Sequence, residues 1–261
     1  MFRNKLLPLS LGLNLLLVAS FFVGFTGPNV PTSFNPDTEK PRVAETAFVH
    51  HLASVVGDVM IGERVFVAPC ASVRGDEGQP IYIGDESNVQ DGVVIHGLET
   101  FEDGKEIEKN QVEVDGKKYS VYIGRQTSLA HQSQVHGPAK VGNNVFIGMQ
   151  ALVFKAEVGD SVVIEPGAKV IGVKIPSGRY VPAGYIVTSP EVVDILPEIT
   201  ADYPFKNLND GVIHVNTQLA DGNNGRWGKH EEHREVPMEE VKGSREEGKT
   251  TRVKKQERKE H

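Results

Sequence analysis

The sequence of 261 residues contains a single cysteine, Cys70, and no excess of positive charge. One cysteine excludes a disulfide framework within a monomer and any zinc site built from cysteine thiolates. The formal net charge is −7, and the body of the chain is still more acidic, because positive and negative residues nearly balance within residues 222–261. An acidic body repels phosphate groups, so a nucleic acid is excluded as the partner.

Only one long hydrophobic run is present, from residue 6 to residue 25, and Arg3 and Lys5 precede it. A charged start followed by an apolar run is typical of a secretory signal peptide, which would occupy residues 1–26. The run is also long enough to span a bilayer as an uncleaved membrane anchor. Both interpretations place the body in an extracytoplasmic location, whether secreted, periplasmic or on the outer face of the membrane. A buried core helix is the third alternative.

The rest of the chain divides by composition. Glycine (27 residues) and proline (15 residues) are abundant, which is typical of a turn-rich β architecture. Four prolines within residues 27–42 predict an extended arm or linker. Residues 43–185 are long enough to form one domain with a substantial core. Residues 222–261 combine many charges with few apolar side chains, so we expect a disordered tail.

Within residues 43–185, aliphatic residues recur every six positions, with one step of five positions. They form three runs: Val55, Ile61, Val67 and Val73; Ile83, Val89 and Ile95; Ile123, Leu129, Val135, Val141, Ile147, Val153, Val158, Ile164 and Val170. Self-similarity at a fixed period predicts an all-β solenoid, with the aliphatic side chains inside and glycine or small polar residues at the turns. A β-sandwich does not account for a phase held over so many repeats. The hexapeptide pattern resembles the left-handed parallel β-helix, in which three hexapeptides form one triangular coil.

Two insertions interrupt the period, at residues 74–82 and 97–121. The first carries the segment Arg74-Gly-Asp-Glu77, and the second is rich in glutamate and includes Glu99. Segments that leave a solenoid are where function is normally found. We therefore expect both insertions to lie near the functional site.

The phase of the repeat predicts which side chains stack. Counting three faces per coil, Arg74, His96 and His136 each follow an aliphatic residue of the third face by one position. They should share one edge, on rungs about 4.8 Å apart. Asp91 and His131 each stand two positions after an aliphatic residue of the second face, so they should share a different edge.

This phasing predicts a metal site that is shared between chains. His96 and His136 on adjacent rungs can both reach one ion, since zinc–nitrogen bonds are about 2.0–2.1 Å long. His131 faces another side of the prism, too far round to join them within its own chain. Three chains around a three-fold axis would bring His131 of one copy to His96 and His136 of the next. We therefore predict a homotrimer with a metal ion at each interface.

Three segments closely resemble the γ-class carbonic anhydrases of the hexapeptide-repeat superfamily. They are residues 74–78 (RGDEG), 88–96 (NVQDGVVIH) and 128–138 (SLAHQSQVHGP). The resemblance extends from about residue 41 to residue 219 and includes the acidic loops of the prototype subclass. It implies a trimeric left-handed β-helix with an α-helix packed alongside.

The same resemblance implies a C-terminal helical segment over residues 186–221. Its main helix would lie near Gly211–Asp221, and a shorter helix would lie around Glu191–Leu196.

Site roles follow from the resemblance, position by position. The metal ligands would be His96, His131 and His136. Three residues would be catalytic. Gln90 would hydrogen-bond the hydroxide held by the metal, Glu77 would lie beside the water held by the metal, and Glu99 would be the proton shuttle. Residues lining the substrate pocket would be Asn88 and Asn216. Arg74 and Asp91 would form an ion pair between subunits near the site. Asp76 would belong to the same interface network.

The chain departs from the prototype at three positions, none of them a ligand. His214 stands where the prototype has a tyrosine near the pocket, Phe34 where it has a tryptophan in the arm, and Gly75 where it has a serine. A histidine at this place would assist proton transfer or change the polarity of the pocket.

The resemblance implies a carbonic anhydrase, a lyase that converts CO2 into bicarbonate and a proton with a hydroxide held on a divalent metal. Three histidines suit Zn(II), the first choice, and also Fe(II) or Co(II). One alternative is a hexapeptide-repeat acyltransferase, which would use one histidine as a base and leave the others without a role. The second alternative is a non-catalytic trimeric scaffold or assembly protein, which would not require all three histidines.

Overall fold

The computed structural model describes residues 25–226. The signal peptide or anchor expected within residues 1–26 and most of the tail expected at 222–261 therefore lie outside the described residues. Among residues 25–226, no helix is both long enough and apolar enough to cross a membrane.

Short parallel strands form three sheets, which are the three faces of a solenoid. Face one consists of β2 (Arg42–Val43), β5 (Val59–Ile61), β8 (Ile81–Ile83), β15 (Val121–Ile123), β18 (Ala139–Val141), β21 (Glu157–Val158) and β24 (Lys174–Ile175). Face two consists of β3 (Phe48–Val49), β6 (Phe66–Val67), β9 (Asn88–Val89), β16 (Ser128–Leu129), β19 (Phe146–Ile147), β22 (Val163–Ile164) and β25 (Tyr180–Val181). Face three consists of β1 (Thr26–Gly27), β4 (Ser54–Gly57), β7 (Ser72–Gly75), β10 (Val94–His96), β17 (Gln134–His136), β20 (Leu152–Phe154), β23 (Lys169–Ile171) and β26 (Ile186–Val187).

The core is a column of aliphatic side chains in the register that the repeat predicts. Ile83 pairs with Ile61 below it and Ile123 above it, and Leu129 pairs with Val89. These side chains are buried, and each fully buried aliphatic side chain contributes about 1.5–3 kcal/mol to folding. The predicted β-solenoid of hexapeptide repeats is confirmed.

The corner between faces one and two explains the glycines that follow the aliphatic residues. A Cβ atom on Gly84 would lie 2.6 Å from the backbone nitrogen of Arg125 on the next coil, so only glycine allows the coils to stack this closely. The positions that turn the chain onto face two have left-handed backbone, with φ between 53° and 57°: Arg64, Glu86, Gln126, Asn144 and Ser161.

The solenoid is longer than the sequence limits of 43–185. β1 pairs with β4, and β26 pairs with β23. Residues 26–27 have no aliphatic side chain that would extend the repeat, and the carbonyl of Phe25 beside them accepts the N–H of Val55 at 2.8 Å. The arm expected at 27–42 is thus tied to the solenoid at both of its ends.

Two helices follow the last coil. α1 (Pro190–Asp194) is shorter than the helix expected around Glu191–Leu196, because the backbone leaves the helical region at Ile195. Val193 and Leu196 are nevertheless buried and join the aliphatic core. They cover the end of the column, where a further rung would otherwise be needed.

α2 (Leu208–Asn223), in contrast to α1, is longer than the helix expected at Gly211–Asp221. Apolar and polar contacts both join it to the solenoid, and Ala220 packs against Phe66 and Ala68. Asn209 donates its Nδ2–H to the Oδ1 of Asn144 at 2.8 Å. Near the other end, Arg64 pairs with Asp221 at 2.8 Å, and the Asp221 side chain is only 6% exposed.

The second insertion is not a structureless loop. It contains the hairpin β11 (Phe101–Glu102)–β12 (Lys105–Glu106), a 3-10 turn (Glu108–Asn110) and the hairpin β13 (Val112–Val114)–β14 (Lys117–Tyr119). Both hairpins turn at an Asp-Gly pair in which both residues have positive φ, at residues 103–104 and 115–116. Asp-Gly is the preferred pair for such two-residue turns.

We expect the Arg64–Asp221 pair to stabilise the docking of α2. Arg64→Met leaves a buried carboxylate without its partner and should lower the free energy of unfolding by about 1–3 kcal/mol. Lys174→Met, which breaks an exposed pair with Glu157, should cost less than about 1 kcal/mol. Chemical denaturation followed by circular dichroism measures both, and equal losses would contradict the assignment.

Candidate metal centre

His96 and His136 lie on adjacent rungs of face three. His96 pairs in register with His136 on β17 and with Arg74 on β7. The two imidazole rings approach edge to face, with centroids 5.2 Å apart. The stacking that the phase predicts for these three residues is therefore present in the structure.

The His96 imidazole is oriented towards carboxylates of the first insertion. Its Nε2 lies 3.3 Å from Oε1 of Glu77 and 3.6 Å from Oδ1 of Asp76, but neither contact has hydrogen-bond geometry. Nε2 of His96 and Oδ1 of Asp76 are both buried, and neither has a hydrogen-bond partner among residues 25–226. A buried nitrogen and a buried oxygen left unpaired side by side fit a site for a cation, since such groups are costly unless something binds them.

The surroundings of His96 favour its neutral imidazole, which is the form that can bind a metal. Burial lowers the pKa of His96 below its ordinary value, because desolvation disfavours the imidazolium, and the nearby Arg74 guanidinium lowers this pKa further. A neutral imidazole retains the lone pair that a metal requires. Burial also raises the pKa of the Glu77 carboxyl, and the negative charges of Asp76 and Glu99 add to this effect.

Glu77 and Glu99 line one cleft, although they come from different insertions. Phe34 from the arm lies in the same cleft, together with Phe101 and Glu102. The arm, the first insertion and the second insertion therefore meet beside His96. Arg74 pairs with Asp76 at 3.0 Å on this side of the chain.

His131 lies on a different edge, between faces two and three. Its Nδ1 is 3.1 Å from Oδ2 of Asp91, one rung below, and the side chains of both are more than half exposed. The stacking expected for Asp91 and His131 is therefore present as well. Within the described chain, Asp91 contacts His131, whereas Arg74 contacts Asp76.

A buried chain of hydrogen bonds holds Gln90 beside His131. Gln90 donates its Nε2–H to Oδ1 of Asn88 at 2.9 Å, and Asn88 donates its Nδ2–H to Oγ of Ser128 at 2.8 Å. Ser128 was not among the residues expected at the site. Its in-register pairing with Asn88 is the signal that could have identified it.

α2 completes this second cleft. Val212, Val215, Asn216 and Leu219 line it opposite His131, and Asn216 donates its Nδ2–H to the carbonyl of Val212. His214 lines neither cleft; its Nε2 lies 2.8 Å from Nε2 of Gln218, one helical turn away.

The candidate residues thus form two half-sites on two edges of one chain. The only group of three potential ligand atoms within 4.8 Å among residues 25–226 consists of Asp76, Glu77 and His96, and it does not include His131. We call the first half-site the group Arg74, Asp76, Glu77, His96, Glu99 and His136. We call the second half-site the group Asn88, Gln90, Asp91, His131 and Asn216.

Sequence comparisons find close relatives of the chain, although no family model matches it. A carbonic anhydrase from Methanosarcina thermophila is 57% identical over 195 residues, which is 74% of this chain and 79% of that relative. The carboxysome assembly protein CcmM from a Nostoc species is 43% identical over 192 residues, which is 74% of this chain but only 33% of that relative.

Solved structures with the same fold are more distant in sequence. A protein from Bacillus cereus assigned as an acetyltransferase aligns with a TM-score of 0.57 at 22% identity, over 72% of this chain and 93% of that one. A hexapeptide transferase family protein from Anaplasma phagocytophilum aligns with a TM-score of 0.53 at 23% identity, over 70% and 93%. At these identities the likeness shows the fold alone.

The pKa of His96 can be measured directly. In metal-free protein we expect it to lie below the ordinary value of 6.5, and Arg74→Met should raise it towards that value because the repulsion of the imidazolium is removed. A pH titration of the imidazole resonances by NMR measures both. A pKa above 6.5, or one that falls in Arg74→Met, would show that this edge does not favour the neutral ring.

Proposed function

The chain belongs to the γ-class carbonic anhydrase family, and we propose that its active site forms where the first half-site of one subunit meets the second half-site of its neighbour in a homotrimer. The reaction is the reversible hydration of CO2 to bicarbonate and a proton. The two half-sites on separate edges carry the proposal, because neither edge of a single chain holds all three histidines.

Symmetry explains how two edges of every chain can be used at once. In a closed ring of three copies, each chain offers its first half-site to one neighbour and its second half-site to the other. Arg74 would then face Asp91 of the adjacent subunit. Both side chains are about half exposed within one chain, so a salt bridge between them would be made on assembly and would help to set the register of the subunits.

The residues present fit a divalent metal. His96 and His136 of one subunit and His131 of the next would hold it, and the unpaired Nε2 of His96 is the observation that supports this. Such an ion supplies a hydroxide nucleophile at neutral pH, because it lowers the pKa of its water from 15.7 to about 7. We propose Zn(II) as the metal, while Fe(II) and Co(II) suit the same three nitrogens.

Gln90 would orient the hydroxide. Its Nε2–H is donated to Asn88. No donor among residues 25–226 binds its Oε1, which would accept a hydrogen bond from the hydroxide and so direct the oxygen lone pair towards CO2. The substrate is apolar, and the aliphatic side chains Val212, Val215 and Leu219 form a matching wall opposite His131. Asn216 is the polar group on that wall and would contact the oxygen that becomes negative in bicarbonate.

Each turnover must also export one proton, because the hydroxide consumed is regenerated from water. Glu77 would take that proton first, since it lies 3.3 Å from His96 and its raised pKa makes it a better base near neutral pH. Glu99 lines the same cleft and would pass the proton on to buffer in solution.

We propose an extracytoplasmic location for this enzyme. The apolar run at residues 6–25 that follows Arg3 and Lys5 supports a signal peptide or a membrane anchor. Fractionation of producing cells, with N-terminal sequencing of the mature protein, distinguishes the two. Full-length protein in the cytoplasm would exclude both.

Mixed trimers test whether two subunits build each site. His131→Ala and His96→Ala proteins should each be inactive, and unfolding and refolding them together should restore CO2 hydration. In a random equimolar mixture three trimers in four are mixed, and each has one interface with both halves intact, so about a quarter of the wild-type sites re-form.

The matched control mixes His96→Ala with His136→Ala, which damage the same half-site. Every chain in this mixture then has a damaged first half-site, so no interface can form a complete metal site and activity should stay absent. Recovery in this control, or no recovery in the first mixture, would place the three histidines differently.

The shuttle role of Glu99 predicts a loss that depends on buffer. Glu99→Gln keeps the shape of the side chain but cannot carry a proton, so kcat at low buffer should fall by at least about tenfold. The value of kcat/KM should stay unchanged, and a high concentration of imidazole should restore kcat. Glu113→Gln, on the exposed strand β13, serves as the control in stopped-flow assays. Unchanged turnover of Glu99→Gln at low buffer would remove its shuttle role.

A further inference from the structure

Thr100 is a fully buried polar residue of the second insertion, and it directly follows Glu99. All of its polar groups are hydrogen-bonded. Its backbone N–H donates to the carbonyl of Glu77 at 3.0 Å, and its Oγ1–H donates to the same carbonyl at 3.1 Å. The same Oγ1 accepts the backbone N–H of Gln79 at 2.6 Å. The backbone and the side chain of Thr100 therefore both tie the second insertion to the first.

The first insertion is shaped around this hydroxyl. Gly78, between Glu77 and Gln79, has φ +106°, a backbone conformation that other residues rarely adopt. A Cβ atom on Gly78 would collide with Oγ1 of Thr100. The turn can thus close over Thr100 only because residue 78 is glycine.

The backbone carbonyls of Thr100 and Glu99 are hydrogen-bonded within the second insertion. The carbonyl of Thr100 accepts the N–H of Ile107 at 2.8 Å. Asn110, which is 5% exposed, donates its Nδ2–H to the carbonyl of Glu99 at 2.7 Å. The peptide between Glu99 and Thr100 is therefore held from both directions, and the Glu99 side chain leaves from a fixed backbone.

We propose that Thr100 is a positioning residue that joins the two insertions and so keeps the carboxyls of Glu77 and Glu99 in one cleft. This inference rests on the shuttle role proposed above for Glu99. Without the Oγ1 hydrogen bonds, only the backbone N–H of residue 100 would hold this segment to Glu77. The segment could then move away, since among residues 25–226 β11 and β12 pair only with each other. The cost would fall on the transfer of the proton between the carboxyls, and the chemistry at the histidines would be unaffected.

The test compares Thr100→Val, which keeps the shape and loses the hydroxyl, with Thr100→Ser, which keeps the hydroxyl. For Thr100→Val we expect kcat at low buffer to fall roughly tenfold, with kcat/KM within twofold of wild type and recovery in imidazole, because misplacement of a reacting group slows only the step that uses it. Thr100→Ser should behave as wild type. Equal losses in both variants, or equal losses of kcat and kcat/KM, would mean that Thr100 acts only through packing.

Hydrogen exchange of the metal-free protein gives a readout that is independent of activity. Thr100→Val should speed exchange in peptides from both insertions, 76–80 and 98–110, and leave the coils at 121–175 unchanged. Faster exchange in 98–110 alone would overturn the coupling. If Glu99→Gln shows no loss of kcat, the shuttle role fails, whereas the exchange result still decides whether Thr100 joins the insertions.

Gly78→Ala tests the same contact from the other insertion. It should speed exchange in 98–110 although the change lies in 76–80, because the added Cβ displaces the Thr100 hydroxyl. This variant decides the question if Thr100→Val also loosens the coils. Unchanged exchange at 98–110 in Gly78→Ala would contradict the proposal.

Discussion

The stacking of coils at the spacing of neighbouring strands, about 4.8 Å, is the constraint on which this structure depends. Aliphatic side chains fill the column inside, so every residue at one phase of the repeat is placed on one edge of the solenoid. His96 and His136 are forty residues apart in the sequence and lie side by side for this reason. The same rule places His131 on another edge, where it meets Asp91.

That separation places the three histidines of the proposed metal site on two edges of the chain. Within the part of the chain that the structure describes, one edge has a buried imidazole nitrogen without a hydrogen-bond partner, and another edge has an exposed imidazole. Assembly around a three-fold axis would satisfy both, and it would bring the apolar wall of α2 over the site. The two insertions add the carboxylates, and buried polar side chains such as Thr100 and Asn110 hold the backbone of these insertions in place.

The phase of the repeat was sufficient to predict the solenoid and the stacking of the histidines, because a fixed period determines towards which face or edge of the solenoid each side chain points. It could not predict the hydrogen-bond partners of Thr100, because Thr100 lies in an insertion that leaves the repeat. The Asp-Gly turns of the second insertion did carry a local signal for hairpins. The bounds expected for α2 came from the family resemblance, and the structure extends the helix by three residues at its start and two at its end.

Native mass spectrometry after reconstitution with zinc tests the central claim most directly, because it counts chains and ions in one particle. If each site is shared between subunits, the protein should carry three zinc ions in a particle of three chains, and monomers released from it should retain none. Stoichiometric zinc on an isolated monomer would contradict the account, because it would place all the ligands in one chain.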